Sequence, residues 1–174
     1  MSTLFVNNLN TASGTTITIP TGKTLKATDT PIVGTGNIIQ VVHSSFASQT
    51  YMSSTSMATS GQSATITPKF ANSKILITHK GTCYNEGNNL HQYRTVYRGS
   101  TDLAPSAEGL TLHSAGASSS GRWSSIGFDY LDSPNTTNAT TYTIYYRGNS
   151  NSSNSYYCYG ANYPQVTILF EIAQ

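Results

Sequence analysis

The sequence predicts an all-β protein, a jelly-roll-like antiparallel β-sandwich preceded by a short extended N-terminal segment. Ser, Thr and Asn occupy 64 of the 174 positions, and twelve Tyr supply large apolar side chains. Thr and Tyr fit pleated sheets, and charged residues make up only 9% of the chain. Short segments alternate apolar and polar residues, with turn sequences between them, which is typical of a sandwich or barrel. An open Greek-key barrel is the alternative, whereas coiled coils, helical bundles and collagen are excluded.

Residues 1–36 differ from the rest because they contain no Tyr or Trp. They consist of short β-like runs, such as TTITIP at 15–20, separated by turn residues. Three short strands cannot bury a core alone. We therefore expect 1–36 to be an anchoring or oligomerisation segment, packed on the main domain, on identical chains or on another protein, and 37–174 to be the sandwich module.

Nine strands are predicted in the module from period-2 alternation and turn signals. They cover residues 37–43, 51–55, 63–68, 73–80, 90–99, 121–131, 139–148, 155–160 and 165–172. Three of them each place a row of residues on one face of a strand. These rows are Ile75, Ile77 and His79; Tyr142, Ile144 and Tyr146; and Val166, Ile168, Phe170 and Ile172.

Charge and hydropathy exclude several classes of partner. The nine Lys and Arg residues are scattered, so no cluster converges on phosphates and we expect no nucleic-acid binding. No segment approaches the roughly 20 apolar residues that span a bilayer, and the N-terminus does not read as a signal peptide. Cys83 and Cys158 could bridge two strands, but in a chain without a signal peptide reduced thiols are favoured.

No constellation of residues predicts catalysis or a cofactor. The four His residues lack the close spacing of zinc ligands, although a single His on a three-fold axis would escape this test. Asp129 and Asp132 are near in sequence, but Asp132 precedes Ser-Pro and is better explained as a turn residue. No nucleophile elbow, P-loop or dinucleotide motif occurs. We therefore predict a protein that is not an enzyme, with no cofactor and no resident metal.

The aromatic segments are the one positive signal for binding. SYYCYGANYP at 155–164 contains four Tyr, and Trp123 follows the Ser- and Gly-rich run at 114–121. Rigid rings beside adaptable polar loops suit recognition, and sugars combine apolar ring faces with hydroxyls. The candidate glycan-binding residues are Trp123, Tyr156, Tyr157 and Tyr159. The alternative for any one Tyr is simple packing in the core. We expect the contact at the loop-bearing end of the sandwich farthest from the N-terminal segment.

Several segments together resemble tail-fibre-like structural proteins of marine bacteriophages, especially cyanophages. The N-terminal match is STLFVNNLNTASGTTITIPTGKTL. The module matches at GNIIQVV (36–42), ATITPKFANSKILI (64–77), VYRGSTDL (96–103), LDSPNTTNATTYTIYYR (131–147) and VTILFEIA (166–173). Only about 36 residues precede the module, which favours a short appendage or knob over a long fibre.

The resemblance implies a virion protein made in the host cytoplasm, commonly a homotrimer. It implies attachment to the host surface, through a cell-surface glycan or lipopolysaccharide, with residues 1–36 contacting another virion protein. A capsid or tail decoration or connector protein without a receptor is the alternative function. A depolymerase is the third, and least favoured, class.

Overall fold

The computed structural model describes residues 21–22, 34–52, 54–85, 90–114, 122–149 and 162–174, together with the backbone of residues 156–159. Most of the predicted N-terminal segment therefore lies outside the described residues. The described part of the chain contains eleven strands and no helix. The strands are β1 (Ile38–Phe46), β2 (Thr50–Met52), β3 (Ala58–Ile66), β4 (Lys74–Asn85), β5 (His91–Arg98), β6 (Thr101–Asp102), β7 (Thr111–Ser114), β8 (Arg122–Asp132), β9 (Thr140–Gly148), β10 (Tyr156–Tyr159) and β11 (Gln165–Ile172).

The strands form two antiparallel sheets packed as a sandwich. The first sheet has the order β1-β11-β4-β10-β2, with β8 on the other edge of β4. The second has the order β3-β9-β5-β6, with β7 also paired to β5. The chain crosses repeatedly between the two sheets in the manner of a jelly roll. The predicted all-β sandwich is confirmed, and two separate sheets disfavour the barrel alternative.

Some strand boundaries differ from the prediction. The sequence does not predict β6 and β7, because two to four residues carry too little alternation to be recognised. β3 begins at Ala58 rather than 63, since its register against β9 shifts between Thr59 and Ser63. Gly61 lies within this irregularity with φ of 81°, a backbone conformation that glycine adopts without steric cost.

The chain divides into two compact units, Met1–Ile32 and Val33–Gln174. The second unit begins four residues before the predicted module. The backbone explains this difference, because the Gly36 N–H donates to the Ala173 carbonyl at 2.7 Å and the Ala173 N–H donates to the Asn37 carbonyl at 3.0 Å. Residues 34–37 are therefore already attached to the sandwich before β1 begins.

The apolar core lies between the two sheets. Ile75, Ile77 and Leu169 of the first sheet pack against Tyr142 and Ile144 of the second, and all five are fully buried. The rows on β4 and β9 therefore face inward. Their alternation with more exposed residues is what placed them on one face in the sequence.

The apolar row of β11 lies on the outer face of its sheet. Val166, Ile168, Phe170 and Ile172 are all only half-buried. The intervening Gln165, Thr167 and Glu171 are completely buried instead. Hydrogen bonds compensate for the burial of Thr167 and Glu171, and Gln165 Oε1 accepts from Arg94, whereas Gln165 Nε2 has no partner among the described residues. The Glu171 carboxylate, for example, accepts from the backbone N–H groups of Lys69 at 2.6 Å and Phe70 at 3.3 Å.

A buried arginine sits at the centre of the polar part of the interior. Arg94 Nη1 donates to His79 Nε2 at 3.0 Å and to Gln165 Oε1 at 3.4 Å, and Nη2 donates to Gln92 Oε1 at 3.3 Å. His79 Nδ1 lies 3.2 Å from the Thr167 hydroxyl. Burial and the adjacent Arg94 charge lower the pKa of His79 to about 3. His79 is therefore neutral and able to accept from the guanidinium.

A second buried charge, that of Asp132, links the two sheets. Arg98 Nη1 donates to both Asp132 carboxylate oxygens at 2.9 Å, and the Tyr142 hydroxyl donates to Oδ2 at 2.7 Å. Burial raises the pKa of Tyr142, and the contact with the Asp132 carboxylate raises it further. Asp132, interpreted from the sequence as a turn residue, ends β8 and forms an ion pair between the sheets.

The neutral state of His79 makes stability dependent on pH. Its pKa is lower in the folded chain than in the unfolded chain, so the unfolded chain binds the additional proton between about pH 6.5 and pH 3. We expect His79 to cost up to about 1 kcal/mol of unfolding free energy per pH unit as pH falls through this range. Urea unfolding at several pH values should show a smaller slope for His79→Gln. The exposed His43 supplies the control, and an equal effect of His43→Gln would contradict the assignment.

Candidate functional site

A row of four aromatic residues crosses the first sheet in register. Tyr51 of β2 pairs with Tyr157 of β10, Tyr157 pairs with Tyr84 of β4, and Tyr84 pairs with Trp123 of β8. Residues directly opposite one another in antiparallel strands lie on the same face of the sheet. This face is the outer one, because the neighbouring residues in β4, Cys83 and Asn85, are fully buried.

Trp123 contacts the rings of Tyr84 and Tyr163, and Tyr51, Trp123 and Tyr163 are open to solvent. The Trp123 and Tyr84 ring centroids are 4.9 Å apart and tilted by 46°. Tyr163, which follows β10 in the chain, approaches Trp123 edge-on at 5.8 Å. Trp123 is 51% exposed, Tyr163 53% and Tyr51 44%. Large aromatic surface left this open is unusual, and we call Tyr51, Tyr84, Trp123, Tyr157 and Tyr163 the aromatic row.

The four residues predicted from the sequence do not share one environment. Trp123 and Tyr157 occupy the row. Tyr159 pairs with Thr82, two residues along β4 from Tyr84, and therefore lies on the same side of the sheet. Tyr156 pairs with Met52 and Asn85, both buried, so its register position is on the opposite side. The side chains of residues 156–159 lie outside the described part of the chain.

Sequence reasoning missed Tyr51, Tyr84 and Tyr163. Tyr163 belongs to the quoted Tyr-rich segment. It lies beyond the end of β10, so strand alternation did not reveal its proximity to Trp123. The alternation along β4 places Tyr84 on the same side as Thr78 and Lys80, a signal that was present in the sequence. Tyr51 carried no such signal, since only the pairing of β2 with β10 brings it to the row.

A groove runs beside Trp123 along the outer face. Its first part, about 390 Å³, lies between Trp123 and Tyr163 and is also lined by Thr82, Ser124 and Ser125. Thr82 and Ser125 also line a second part of about 590 Å³. The other residues lining this second part are Lys80, Gly81, Ile126, Gly127, Pro164 and Val166. The groove thus combines exposed rings, an apolar floor, hydroxyl groups and one ammonium group.

Glycine is required where the groove crosses β8. A Cβ added to Gly127 would lie 2.5 Å from the His79 carbonyl oxygen and 3.4 Å from Lys80 Cγ. The close approach of the β4 backbone therefore leaves no space for a side chain at this position. Because Gly127 has no side chain, the groove stays open beside Lys80.

The aromatic row lies at the end of the sheet away from residues 34–37. Those residues bond to Ala173, and Lys74 at the start of β4 pairs with Ile172, so both belong to one end. Tyr84 is ten residues farther along β4, or about 33 Å at the usual rise of a strand. The row occupies the outer face near that far end, rather than only its loops. The predicted loops at 114–121 and 147–155 lie largely outside the described residues.

A second group of aromatic residues, on the outer face of the other sheet, is less open. The Tyr97 and Tyr145 rings stack at 3.9 Å, and the Arg147 guanidinium covers the Tyr93 ring at 4.0 Å from its centroid. Each of these rings is therefore already in contact with another side chain. Burial and the neighbouring Asp102 also raise the pKa of Tyr97. The Trp123 groove is therefore the better candidate site.

The chemistry of the groove suits binding. A Trp or Tyr ring can stack on the apolar face of a sugar, while Ser and Thr hydroxyls and Lys80 can hydrogen-bond its oxygen atoms. Among the described residues, no group of three His, Cys, Asp or Glu side chains is placed to hold a metal ion. In the same part of the chain, no helix is long and apolar enough to cross a membrane.

Comparisons with known proteins add little to this geometry. No protein-family model matches the sequence, and no curated protein is similar to it. A chain of the T13 IBDV viral particle aligns with 79% of this chain at 11% identity, with a TM-score of 0.44. The alignment covers 36% of that viral chain. A likeness at this level supports no inference about function.

The close approach at Gly127 gives a stability prediction. We expect Gly127→Ala to lower the free energy of unfolding by about 1–3 kcal/mol, because the added methyl group would push β8 from the β4 backbone. Urea unfolding measures this change. Gly34→Ala is the matched control, since its added Cβ would meet only Asn37 Nδ2 at 3.6 Å, and equal losses in the two variants would contradict the explanation.

Proposed function

We propose that this protein is a virion structural component that attaches to the host surface by binding a glycan on the aromatic row. The resemblance to phage appendage proteins supports the virion role. The exposed rings and hydroxyl-lined groove support the binding role. On this proposal the protein binds without catalysis, is made in the host cytoplasm and functions on the virion.

One observation carries the proposal: Trp123 is half exposed although it contacts two Tyr rings, and it borders a groove at the end away from residues 34–37. A ring needed only for packing would be covered. If residues 1–36 anchor the chain to another virion protein, as the sequence predicts, this end is free to meet a cell. The position of the aromatic row would then suit contact with the host surface, and its chemistry suits a glycan.

The expected affinity of one site is low. Stacking by one ring contributes roughly 1 kcal/mol, so two or three rings with a few hydrogen bonds give weak binding of a single sugar chain. Several copies on one particle would raise the overall strength by avidity. Weak individual sites on a repeated surface suit attachment to a dense cell-surface glycan or lipopolysaccharide.

The apolar outer face of the first sheet supports the homotrimer that the resemblance implies. Ile38, Val41 and Leu131 are exposed there, beside the half-buried row Val166–Ile172 of β11. A contiguous apolar face larger than a few hundred Å² is rare on a monomer. Its side chains are mainly apolar, although Lys74, Lys80 and Asp129 lie on the same side of the sheet, and we infer that identical chains cover it. The same face also favours the alternative function, a decoration or connector protein that packs in the particle without a receptor.

The glycan proposal predicts a loss of binding from single substitutions. We expect Trp123→Ala and Tyr157→Ala each to weaken the binding of host lipopolysaccharide or its oligosaccharide roughly fivefold, equivalent to about 1 kcal/mol. Leu112→Ala, on the other sheet and 50% exposed, should bind normally. Calorimetry and cell adsorption measure the effect, with circular dichroism confirming the fold. Normal binding by both folded aromatic variants would remove the row from the site and favour the connector alternative.

The trimer proposal is tested separately. We expect light scattering to give three times the chain mass for the native protein and a smaller assembly for Val41→Lys, because a buried ammonium group without a partner is costly. Leu112→Lys places the same charge on the other sheet and should leave the trimer intact. A monomeric native protein at micromolar concentration would contradict the trimer without affecting the glycan test.

A further inference from the structure

The two cysteines of the chain lie directly opposite one another in the first sheet. Cys83 of β4 pairs with Cys158 of β10. The pairs on either side, Tyr84 with Tyr157 and Thr82 with Tyr159, fix this register without a shift. The two residues are 75 positions apart in the sequence, so only the pairing of β10 with β4 brings them together.

The register satisfies the main backbone requirement for a disulfide. Directly opposite residues of antiparallel strands have Cα atoms about 4.5–5.5 Å apart, and disulfides bridge Cα separations of about 4.4–6.8 Å. Such residues also lie on the same side of the sheet. For Cys83 that side is the interior, where the residue is fully buried and its thiol makes a long hydrogen bond of 3.6 Å to the Ser124 carbonyl. A bond of this length to sulfur is weak and easily replaced.

We propose that Cys83 and Cys158 form an intramolecular disulfide when the protein is in an oxidising medium. The bond would cross-link β10 to β4 one residue from the Tyr84–Tyr157 pair of the aromatic row. This inference does not depend on glycan binding. It depends only on the strand register and on the chemistry of two neighbouring thiols.

The reaction balances with a low-molecular-weight disulfide, such as oxidised glutathione, as the oxidant. One cysteine loses its proton, and its thiolate attacks a glutathione sulfur, which releases one glutathione thiolate and leaves a mixed disulfide. The second cysteine thiolate then attacks the protein sulfur of that mixed disulfide and releases the second glutathione. The protein loses two protons and two electrons, and the oxidant becomes two thiols.

The expected redox state depends on the compartment. A reducing cytoplasm keeps protein thiols reduced, which agrees with the state favoured by the sequence. Outside a cell the oxidised state becomes accessible. The cross-link would close a loop of about 75 residues, and a constraint on so long a loop in the unfolded chain raises the stability of the folded one.

The test is to unfold the full-length chain in urea and refold it in a reduced and oxidised glutathione buffer. Refolding exposes both thiols to the oxidant before Cys83 is buried. We expect a monomer-sized chain on a non-reducing gel, no titratable thiol after denaturation, and an intact mass lower by two hydrogens. We also expect a thermal midpoint about 5–10 °C higher than that of the reduced protein.

Single-cysteine variants provide the controls. Cys158→Ser and Cys83→Ala should each keep one reactive thiol or carry one glutathione, and reductant should not shift their melting midpoints beyond the loss of that adduct. Two thiols in the refolded native chain, a glutathione on each cysteine, or covalent dimers would each overturn the proposal. If Cys83→Ala does not fold, Cys158→Ser alone gives the comparison, because Cys158 lies on the short strand β10.

Discussion

The structure depends on the register of β4. This strand pairs with β8 over eleven consecutive residues, and its other edge holds β11 along its first half and β10 along its second. Side chains alternate between the two faces of a strand, so a slip of one residue would exchange the faces. Ile75 and Ile77 would then meet water, and Lys80 and Tyr84 would enter the core. One set of backbone hydrogen bonds thus fixes both the core and the candidate site.

The same strand requires an unusual interior. Its inward row continues from the aliphatic Ile75 and Ile77 to His79, where the second sheet supplies Arg94. A buried guanidinium is costly unless its donors are satisfied. Neutral His79, Gln92 and Gln165 accept hydrogen bonds from this cation. This network selects the one register in which all of these acceptors converge, which favours specificity of pairing over maximal apolar burial.

The first sheet therefore departs from the usual arrangement, in which apolar residues face the core and polar residues face solvent. Gln165, Thr167 and Glu171 of β11 are buried, and Val166, Ile168 and Phe170 face outward. Buried polar groups with partners are tolerable, whereas an apolar outer face is favourable only when something covers it. The outer face near residues 34–37 is mainly apolar, and the far end of the same face carries the aromatic row and its groove. One sheet face thus offers two different surfaces along its length, one suited to assembly and one suited to binding.

The sequence by itself determined the fold class, most strand positions and the inward rows of β4 and β9, because alternation along one strand is a local property. It also identified Trp123 and the Tyr-rich segment as candidates. It did not determine which side of β11 faces the core, since both the aliphatic row and the hydrogen-bonded polar row could be accommodated there. Only the tertiary structure placed Tyr51, Tyr84, Tyr157 and Trp123 in one row and Cys83 opposite Cys158. These neighbours come from strands distant in sequence, and their proximity arises from the pairing of whole strands, which no short segment encodes.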